Sequence, residues 1–269
     1  PNEVWALKDI SFELRRGEFL GIAGHTGSGK STLLQHMNGL LQPSRGRVLV
    51  GGEDLADKKA AAAAKARIGI VFQYPERQLF ATTVFDDVAF GPRNLGLSGD
   101  EVETRVRESL SRVGLSIDSL RDMSPFELSG GQQRRVAFAG VLAMNPEALV
   151  LDEPVAGLDP VARREFLELI AKLHKQGTTI VMVSHSMDDL AAMCDRVVVL
   201  KEGEIVRQGT PAHVFMHAAK LNEIGLGLPA PQRMAYALID AGAPLSTDEL
   251  YSIDSLAAEI ASIAEGGAR

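Results

Sequence analysis

Apolar residues follow two different spacings along this chain, and the two spacings alternate. Runs of four or five mostly apolar residues predict strands that are buried on both faces. Longer segments in which apolar residues recur every three or four positions predict helices. The predicted strands occupy residues 19–23, 47–50, 68–72, 148–151 and 179–183. Their alternation with helices indicates an α/β fold around a buried, mostly parallel sheet.

Two segments depart from this alternation. Residues from about 75 to 145 have a helical pattern, which predicts a helical subdomain inserted between strands. The residues spaced there for one apolar helix face are Val102, Val106, Leu110 and Val113. Residues 196–206 instead predict an antiparallel β segment, with a turn at Glu202 and Gly203.

The composition changes again after residue 210, where the chain becomes mainly helical. Ser246 and Glu249 have the spacing of a helix-capping box. The apolar stripe expected to follow it consists of Leu256, Ile260 and Ile263. We therefore expect one domain over residues 1–210 and a small helical domain over residues 211–269.

Composition and charge exclude few classes but favour a globular protein. Of 269 residues, 45% are hydrophobic and 23% are charged, as in ordinary globular proteins. The net charge of −7 weighs against a nucleic-acid-binding surface, which is usually basic. No apolar run is long enough for a membrane span.

The single cysteine, Cys194, excludes an intrachain disulfide bond. With no disulfide framework and no signal peptide visible, we expect an intracellular chain. Cys194 itself fits a small buried residue in a helix better than a reactive thiol. The chain opens at Pro1 on residues that lead directly into a strand, and we expect that an upstream segment is missing.

Residues 24–31 have the complete P-loop pattern, and they lie between a predicted strand and a predicted helix. Glycines let the backbone wrap around phosphate oxygens, Lys30 supplies a cation to the β and γ phosphates, and Ser31 offers a hydroxyl to Mg²⁺. The nucleotide-binding residues predicted here are Gly24, His25, Thr26, Gly27, Ser28, Gly29, Lys30, Ser31 and Thr32.

Polar side chains follow three of the apolar strands directly. Asp152 and Glu153 end the strand at 148–151, and adjacent strand residues point in opposite directions. One carboxylate can therefore face Mg²⁺ while the other meets an attacking water. Gln73 can hold water or metal, and His185 can contact a γ-phosphate. In open parallel sheets such ligand-binding residues lie at the carboxyl ends of strands.

A second phosphate cradle is predicted more than 90 residues beyond the P-loop. Ser129, Gly130 and Gly131 begin a predicted helix, where backbone N–H groups and the helix dipole favour an anion. A helix N-cap with glycines for close packing is the alternative interpretation of these three residues. Asp159 is predicted to cap another helix, which Pro160 opens.

Together these motifs resemble the nucleotide-binding subunits of ATP-binding-cassette (ABC) transporters over residues 5–210. The matching motifs, in order, are the P-loop, Gln73, residues 128–132, Asp152 with Glu153, Asp159 and His185. The resemblance implies a P-loop NTPase core of the RecA-like type that binds ATP and Mg²⁺. It also implies a head-to-tail dimer, in which each ATP lies between one subunit's P-loop and residues 128–132 of the other.

The resemblance also implies roles for individual residues. Glu153 is the general base, assisted by His185, Gln73 and Lys30, and Ser129 touches the partner subunit's γ-phosphate. The metal ligands implied are Ser31, Gln73 and Asp152. The residues implied to contact nucleotide outside the P-loop are Ser129, Gly130, Gly131, Gln132 and Asp159.

A narrower resemblance is to the ATPases of energy-coupling factor transporters, most of all to the second of their two ATPases. It is carried by residues 72–80, 90–92, 124–127 and 226–229. That family implies a membrane coupling protein carrying exchangeable substrate-capture subunits for vitamins or metal ions. The chain would then lie peripherally on the cytoplasmic face of the membrane. Cobalt and nickel importers share much of the same pattern.

Two positions depart from the family pattern. The family's adenine-stacking aromatic lies upstream of residues 6–8, in a stretch that we expect to be missing here, and Trp5 is a poor substitute for it. Val155 replaces the hydroxyl residue that often follows Glu153 and Pro154 in the family.

Three alternative functions fit the sequence less well. A soluble cassette ATPase acting on nucleic acid or ribosomes would usually carry a second cassette or a long coiled coil. A P-loop GTPase or small-molecule kinase would leave residues 128–132 unexplained. A regulatory, non-catalytic subunit is disfavoured by the intact Glu153 and His185. The sequence does not decide whether the chain pairs with an identical or with a similar ATPase. It does not identify the transported substrate either.

Overall fold

The computed structural model describes residues 5–215, 225–245 and 250–266, and the chain forms two compact units. One unit contains residues 1–32 and 182–269, and the other contains residues 33–181. The strands are β1 (Phe19–Ala23), β2 (Leu49–Val50), β3 (Glu53–Asp54), β4 (Ile68–Val71), β5 (Ala148–Asp152), β6 (Thr179–Val183), β7 (Arg196–Lys201) and β8 (Glu204–Gly209). The helices are α1 (Lys30–Met37), α2 (Lys58–Arg67), α3 (Val84–Asn94), α4 (Gly99–Arg112), α5 (Ile117–Leu120), α6 (Gly130–Ala143), α7 (Pro160–Lys175), α8 (Met187–Met193), α9 (Pro211–Phe215), α10 (Ala230–Asp240) and α11 (Ile253–Gly266).

The sheet is mostly parallel, as the sequence predicts. Within the described residues its strands follow the order β4-β5-β6-β1-β7-β8, and β2 pairs with β3 separately. β1 runs parallel to β7 and β4 runs parallel to β5, whereas β8 returns antiparallel to β7. The predicted hairpin is therefore confirmed. The strand predicted at 47–50 is shorter than expected, because only Leu49–Val50 pairs with β3.

In the first unit, β1 is fully buried and α8 packs closely against it. A Cβ atom on Gly21 would lie 2.8 Å from Sγ of Cys194 and 2.9 Å from a methyl carbon of Leu190, so this packing needs a glycine. Cys194 is buried, as predicted, and burial raises the pKa of its thiol. It does not lie within the helix, however. The chain leaves α8 at Cys194 because the next residue, Asp195, bonds both backbone groups of Phe19.

The C-terminal helices share a small apolar cluster. Ala235 of α10 packs with Leu250 and Leu256, and Leu245 covers the cluster. Ile260, one turn beyond Leu256, is 39% exposed, so the predicted apolar stripe is only partly buried. The cluster reaches only the first turn of α11. The predicted capping box at residues 246 and 249 lies outside the described residues, and the domain boundary expected at residue 210 stays a prediction.

In the second unit, the predicted helical segment contains α3 to α6. A capping box between Ser98 and Glu101 begins α4. The apolar face predicted for α4 is buried at every position, namely Val102, Val106, Leu110 and Val113. α6 packs against both α3 and α4. Across the described ranges of both units, no helix combines the length and the apolar character that a bilayer span requires.

Candidate functional site

The P-loop connects β1 to α1 in a tight turn that two glycines make possible. A Cβ atom on Gly24 would collide with Oγ of Ser28 and would lie 2.5 Å from the carbonyl oxygen of Leu200. Gly29 has a φ of +100°, and a Cβ atom there would lie 2.7 Å from the carbonyl oxygen of Ala6. Side chains at these two positions would push the loop open. The two glycines therefore keep its backbone closed around one point.

The amine of Lys30 lies inside this loop. Its Nζ atom donates hydrogen bonds to the carbonyl oxygens of Gly24, at 2.7 Å, and of His25, at 2.9 Å. The residue is only 8% exposed, and it is the first residue of α1. A buried ammonium group and a helix N-terminus thus share one position, which is an environment suited to an anion.

Two further observations bear on whether phosphate fits this loop. Oγ of Ser28 is buried, and no hydrogen-bond partner for it occurs among the described residues. Thr26 and Gly27 are exposed at the loop's tip, and Ser31 is exposed in the first turn of α1. The loop therefore combines a buried cation, an available buried hydroxyl and exposed backbone, and this combination fits a nucleotide's phosphates.

His185 follows β6 in the same unit as the P-loop. The preceding residue, Ser184, is 3% exposed, and its N–H donates to the carbonyl oxygen of Ile22 at 3.4 Å. Its Oγ accepts the N–H of Ser186 at 3.0 Å. The structure thus brings the exposed His185 to the end of β1, from which the P-loop starts at Gly24.

In the second unit, two paired strands end in the polar residues that the sequence predicts. Val71 of β4 pairs with Leu151 of β5, so Gln73 and Glu153 each lie two residues beyond that pair. Asp152 is the last residue of β5. Glu153 has a positive φ of 50°, and its carbonyl oxygen accepts the N–H of Ala156 at 3.1 Å. A positive φ is unfavourable for a glutamate, so neighbouring contacts must hold this turn.

Residues 129–132 begin α6 with a complete capping box. Oγ of Ser129 accepts the N–H of Gln132 at 3.4 Å, and Oε1 of Gln132 accepts the N–H and the hydroxyl of Ser129. The N-cap interpretation is therefore correct as far as the local structure goes. Ser129 and Gly130 are nevertheless exposed, so the start of this helix is available to a partner.

Asp159 caps α7, as predicted. Its Oδ1 accepts the N–H of Val161 at 2.9 Å and of Ala162 at 3.0 Å, and Pro160 occupies the first helical position.

Sequence reasoning gave no role to Arg134, which the structure buries in the second unit. Its guanidinium group bonds the carboxylate of Glu76 and the carbonyl oxygens of Pro154 and Ala156. A signal for it exists in the sequence, because positions 134, 138 and 142 share one helix face, and the other two are apolar.

Comparison with known proteins identifies the family. The model of the ABC transporter family matches residues 7–156. A protein of Symbiobacterium thermophilum, named energy-coupling factor transporter ATP-binding protein EcfA2, is 54% identical over 94% of this chain and 88% of its own length. The chain belongs to the energy-coupling factor ATPases of the ABC transporter family. A protein with the same name from Clostridium perfringens is 49% identical over 94% of this chain and 89% of that protein.

Solved structures agree with the assignment to the ABC transporter family. The structure of cbiO1 from Clostridium perfringens, described as part of the ABC transporter complex cbiONQ, has a TM-score of 0.73. It is 41% identical and covers 87% of this chain and 92% of its own. A dimeric ATP-binding cassette bound to ADP and Pi has a TM-score of 0.68 and 32% identity, with 78% of this chain and 93% of that chain covered. The predicted fold and family are confirmed, and the chain is an ATP-binding subunit of an energy-coupling factor transporter.

Proposed function

We propose that this energy-coupling factor ATPase hydrolyses ATP with Glu153 as the general base, in sites that it shares with a second ATPase subunit. The observation that carries the proposal is the buried amine of Lys30 at the start of α1, inside a loop closed by Gly24 and Gly29. Such a loop binds the β and γ phosphates through its N–H groups and its lysine. Binding phosphate would redirect the amine of Lys30 from loop carbonyls toward phosphate oxygens.

Mg²⁺, when bound, would neutralise the negative charge that develops on the phosphate oxygens during transfer. Ser31, Gln73 and Asp152 would hold it. These residues supply one hydroxyl, one amide oxygen and one carboxylate, a set that suits a hard cation which retains water and phosphate ligands. In the described parts of the chain, no cluster of three or more His, Cys, Asp or Glu side chains could bind a metal by itself.

Glu153 and His185 carry the remaining chemistry of the proposal. The carboxylate of Glu153 orients a water molecule and accepts its proton as the water attacks the γ-phosphorus, while the bond from this phosphorus to the bridging oxygen breaks and ADP leaves. His185 is exposed, and its imidazole donates to the γ-phosphate as charge accumulates there. Gln73 holds the water or the metal. Catalysis of this kind consists of positioning and electrostatic stabilisation.

The second subunit contributes through the start of α6. Ser129 and Gly130 are exposed, and they lie at the capped N-terminus of the 14-residue helix α6, where the helix dipole is positive. Gly131, Gln132 and Asp159 complete the surface proposed to face the partner's nucleotide. A head-to-tail dimer, with an identical or a similar ATPase, would then form two ATP sites.

The membrane partner would contact the exposed aromatic residues of the helical segment. Phe80 is 60% exposed and Phe90 is 49% exposed, and their rings meet edge to face at 4.9 Å. Paired exposed rings of this kind are typical of a protein-binding surface. The partner proposed is a membrane coupling protein with a substrate-capture subunit, on the cytoplasmic face of the cell membrane. The transported substrate proposed is a vitamin or a transition-metal ion, and no nucleic acid is involved.

Replacement of the general base tests this proposal directly. Glu153→Gln should lower the ATPase rate on the order of a hundred-fold or more, because the amide cannot accept the proton. It should still bind ATP and accumulate an ATP-bound dimer, visible by gel filtration. Glu168→Gln, at an exposed position of α7, is the matched control and should behave as wild type. Hydrolysis by Glu153→Gln at a near wild-type rate would show that the assignment of the base is wrong.

A further inference from the structure

A buried arginine connects three segments of the second unit. Arg134 is 3% exposed, and its Nε and Nη2 atoms donate to the two carboxylate oxygens of Glu76 at 2.9 and 3.0 Å. Its Nη1 atom donates to the carbonyl oxygens of Ala156 at 2.9 Å and of Pro154 at 3.3 Å. Four of the five N–H groups of the guanidinium are thus used on fixed partners.

The partners of Arg134 lie beside the proposed catalytic residues. Glu76 follows Gln73 by three residues, and Pro154 directly follows Glu153. Glu153 has a positive φ, which costs on the order of 1–3 kcal/mol unless its surroundings hold it. Arg134 bonds the carbonyl oxygens of Pro154 and Ala156, which lie one and three residues after Glu153 in the same turn. The contacts of Arg134 therefore fix the backbone that sets the direction of the Glu153 side chain.

A second contact joins the same two segments. Tyr74, between Gln73 and Glu76, also has a positive φ, of 57°. A Cβ atom on Gly157 would lie 3.1 Å from a ring carbon of Tyr74, so the ring packs directly on this glycine. Residues 74–76 and 154–157 are thus held together by a ring contact and by the guanidinium group of Arg134.

We propose that Arg134 is a positioning residue that keeps Glu153 and Gln73 in their working geometry by tying residues 74–76 to residues 154–157. This inference rests on the proposed role of Glu153. Arg134 would touch neither nucleotide nor water. It would act by holding the backbone turn on which Glu153 stands and the turn that follows Gln73. Any movement of residues 74–76 would reach Glu153 through this guanidinium group.

The charge state of the pair supports a permanent link at neutral pH. Burial by itself would raise the pKa of Glu76, but the hydrogen bonds and the charge of Arg134 outweigh burial. The pKa of Glu76 therefore lies below its usual value of 4.5, and the carboxylate is ionised at neutral pH. The charge of Arg77 also lowers this pKa, and its guanidinium carbon lies 4.7 Å from the centroid of the Tyr74 ring.

Arg134→Lys is the most informative variant, because it keeps the charge and removes the planar fork. A lysine can bond Glu76 or the carbonyl oxygens but cannot span both. We expect kcat to fall roughly ten- to hundred-fold, as for a displaced catalytic group, while KM for ATP changes about two-fold or less. The experiment uses the full chain in the complex with which it copurifies. Arg107→Met is the matched control, because Arg107 forms an exposed pair with Asp118 on the same helical segment.

Glu76→Gln provides an independent variant, which leaves the carbonyl contacts of Arg134 in place. It should lower kcat by less than Arg134→Lys does, and Arg107→Met should leave kcat unchanged. Thermal unfolding of each variant shows whether the fold is intact. A purely structural role for Arg134 would lower the melting temperature but leave kcat per folded molecule unchanged.

Two results distinguish failure of this inference from failure of the proposed function. A kcat of Arg134→Lys within two-fold of wild type, in a protein in which Glu153→Gln is inactive, would refute the positioning role. Near wild-type hydrolysis by Glu153→Gln would instead refute the role of Glu153 itself. A loss of kcat in Arg134→Lys with unchanged KM and melting temperature would support the inference.

Discussion

Replacing Lys30 with methionine should weaken the binding of ATP. The methionine keeps most of the length of the side chain and removes the charged amine. The amine lies 2.7 and 2.9 Å from two carbonyl oxygens, so it is positioned within the loop before any phosphate arrives. A hydrogen bond to a charged group contributes about 1.5–3 kcal/mol. If Lys30 transfers one such bond to phosphate, its loss should weaken ATP binding roughly ten- to hundred-fold.

The assay is isothermal titration of ATP into the purified chain, with Lys8→Met as the control. Lys8 pairs with Glu204 at 2.7 Å, but both side chains are about half exposed, and such surface pairs contribute little. Lys8→Met should therefore bind ATP as wild type does. An affinity of Lys30→Met within two-fold of wild type would refute the reasoning, because the buried amine would then have no role in holding phosphate.

Two further predictions concern the membrane contact and the pH dependence of stability. Phe80→Ser should reduce the amount of membrane protein that copurifies with the chain, because it removes a 60% exposed ring. Met234→Ser, at a 56% exposed position of α10, is the control and should leave that amount unchanged. Equal recovery of membrane protein with both variants would contradict the proposed surface. Burial would raise the pKa of Glu18, but its hydrogen bonds with Arg196 and Arg15 outweigh burial and hold the pKa below the usual 4.5. The ionised Glu18 carboxylate therefore stabilises the fold above about pH 4.5, and this stabilisation is lost as the pH falls through the lowered pKa. The difference in melting temperature between wild type and Glu18→Gln should shrink below about pH 4.5. A difference that stays constant from about pH 7 to about pH 3 would refute this prediction.

Much of the fold could be predicted because each strand carries its own local signal. The strand predicted at 179–183 has the observed bounds, and the strand predicted at 148–151 is one residue longer in the structure. Helix ends were harder to predict. The helical pattern after the P-loop continues to about residue 40, but the helix ends at Met37, because Gly39 adopts a φ of +74° and the side chain of Asn38 accepts the N–H of Leu40.

The motifs could be predicted because each also has a local signal in the sequence. The contacts between residues distant in sequence could not be predicted. The P-loop and the start of α6 are each formed by consecutive residues, whose spacing is visible in the sequence. The ion pair of Arg134 and Glu76 joins residues 58 positions apart. No local pattern indicates which carboxylate a buried arginine will meet, because the choice depends on how α6 packs on the turn after β4.

Backbone strain at the strand ends is the part of the site that a sequence conceals most completely. Glycine marks many positions with positive φ, but Tyr74 and Glu153 adopt positive φ without being glycine. Each lies just beyond a strand of the β4–β5 pair, where the chain must turn sharply to present a polar side chain. Such conformations persist only when other contacts enforce them. The contacts distant in sequence are the Tyr74 ring on Gly157 and the bonds from Arg134 to the carbonyl oxygens of Pro154 and Ala156, just after Glu153. A change in either contact should therefore affect catalysis before it affects the fold.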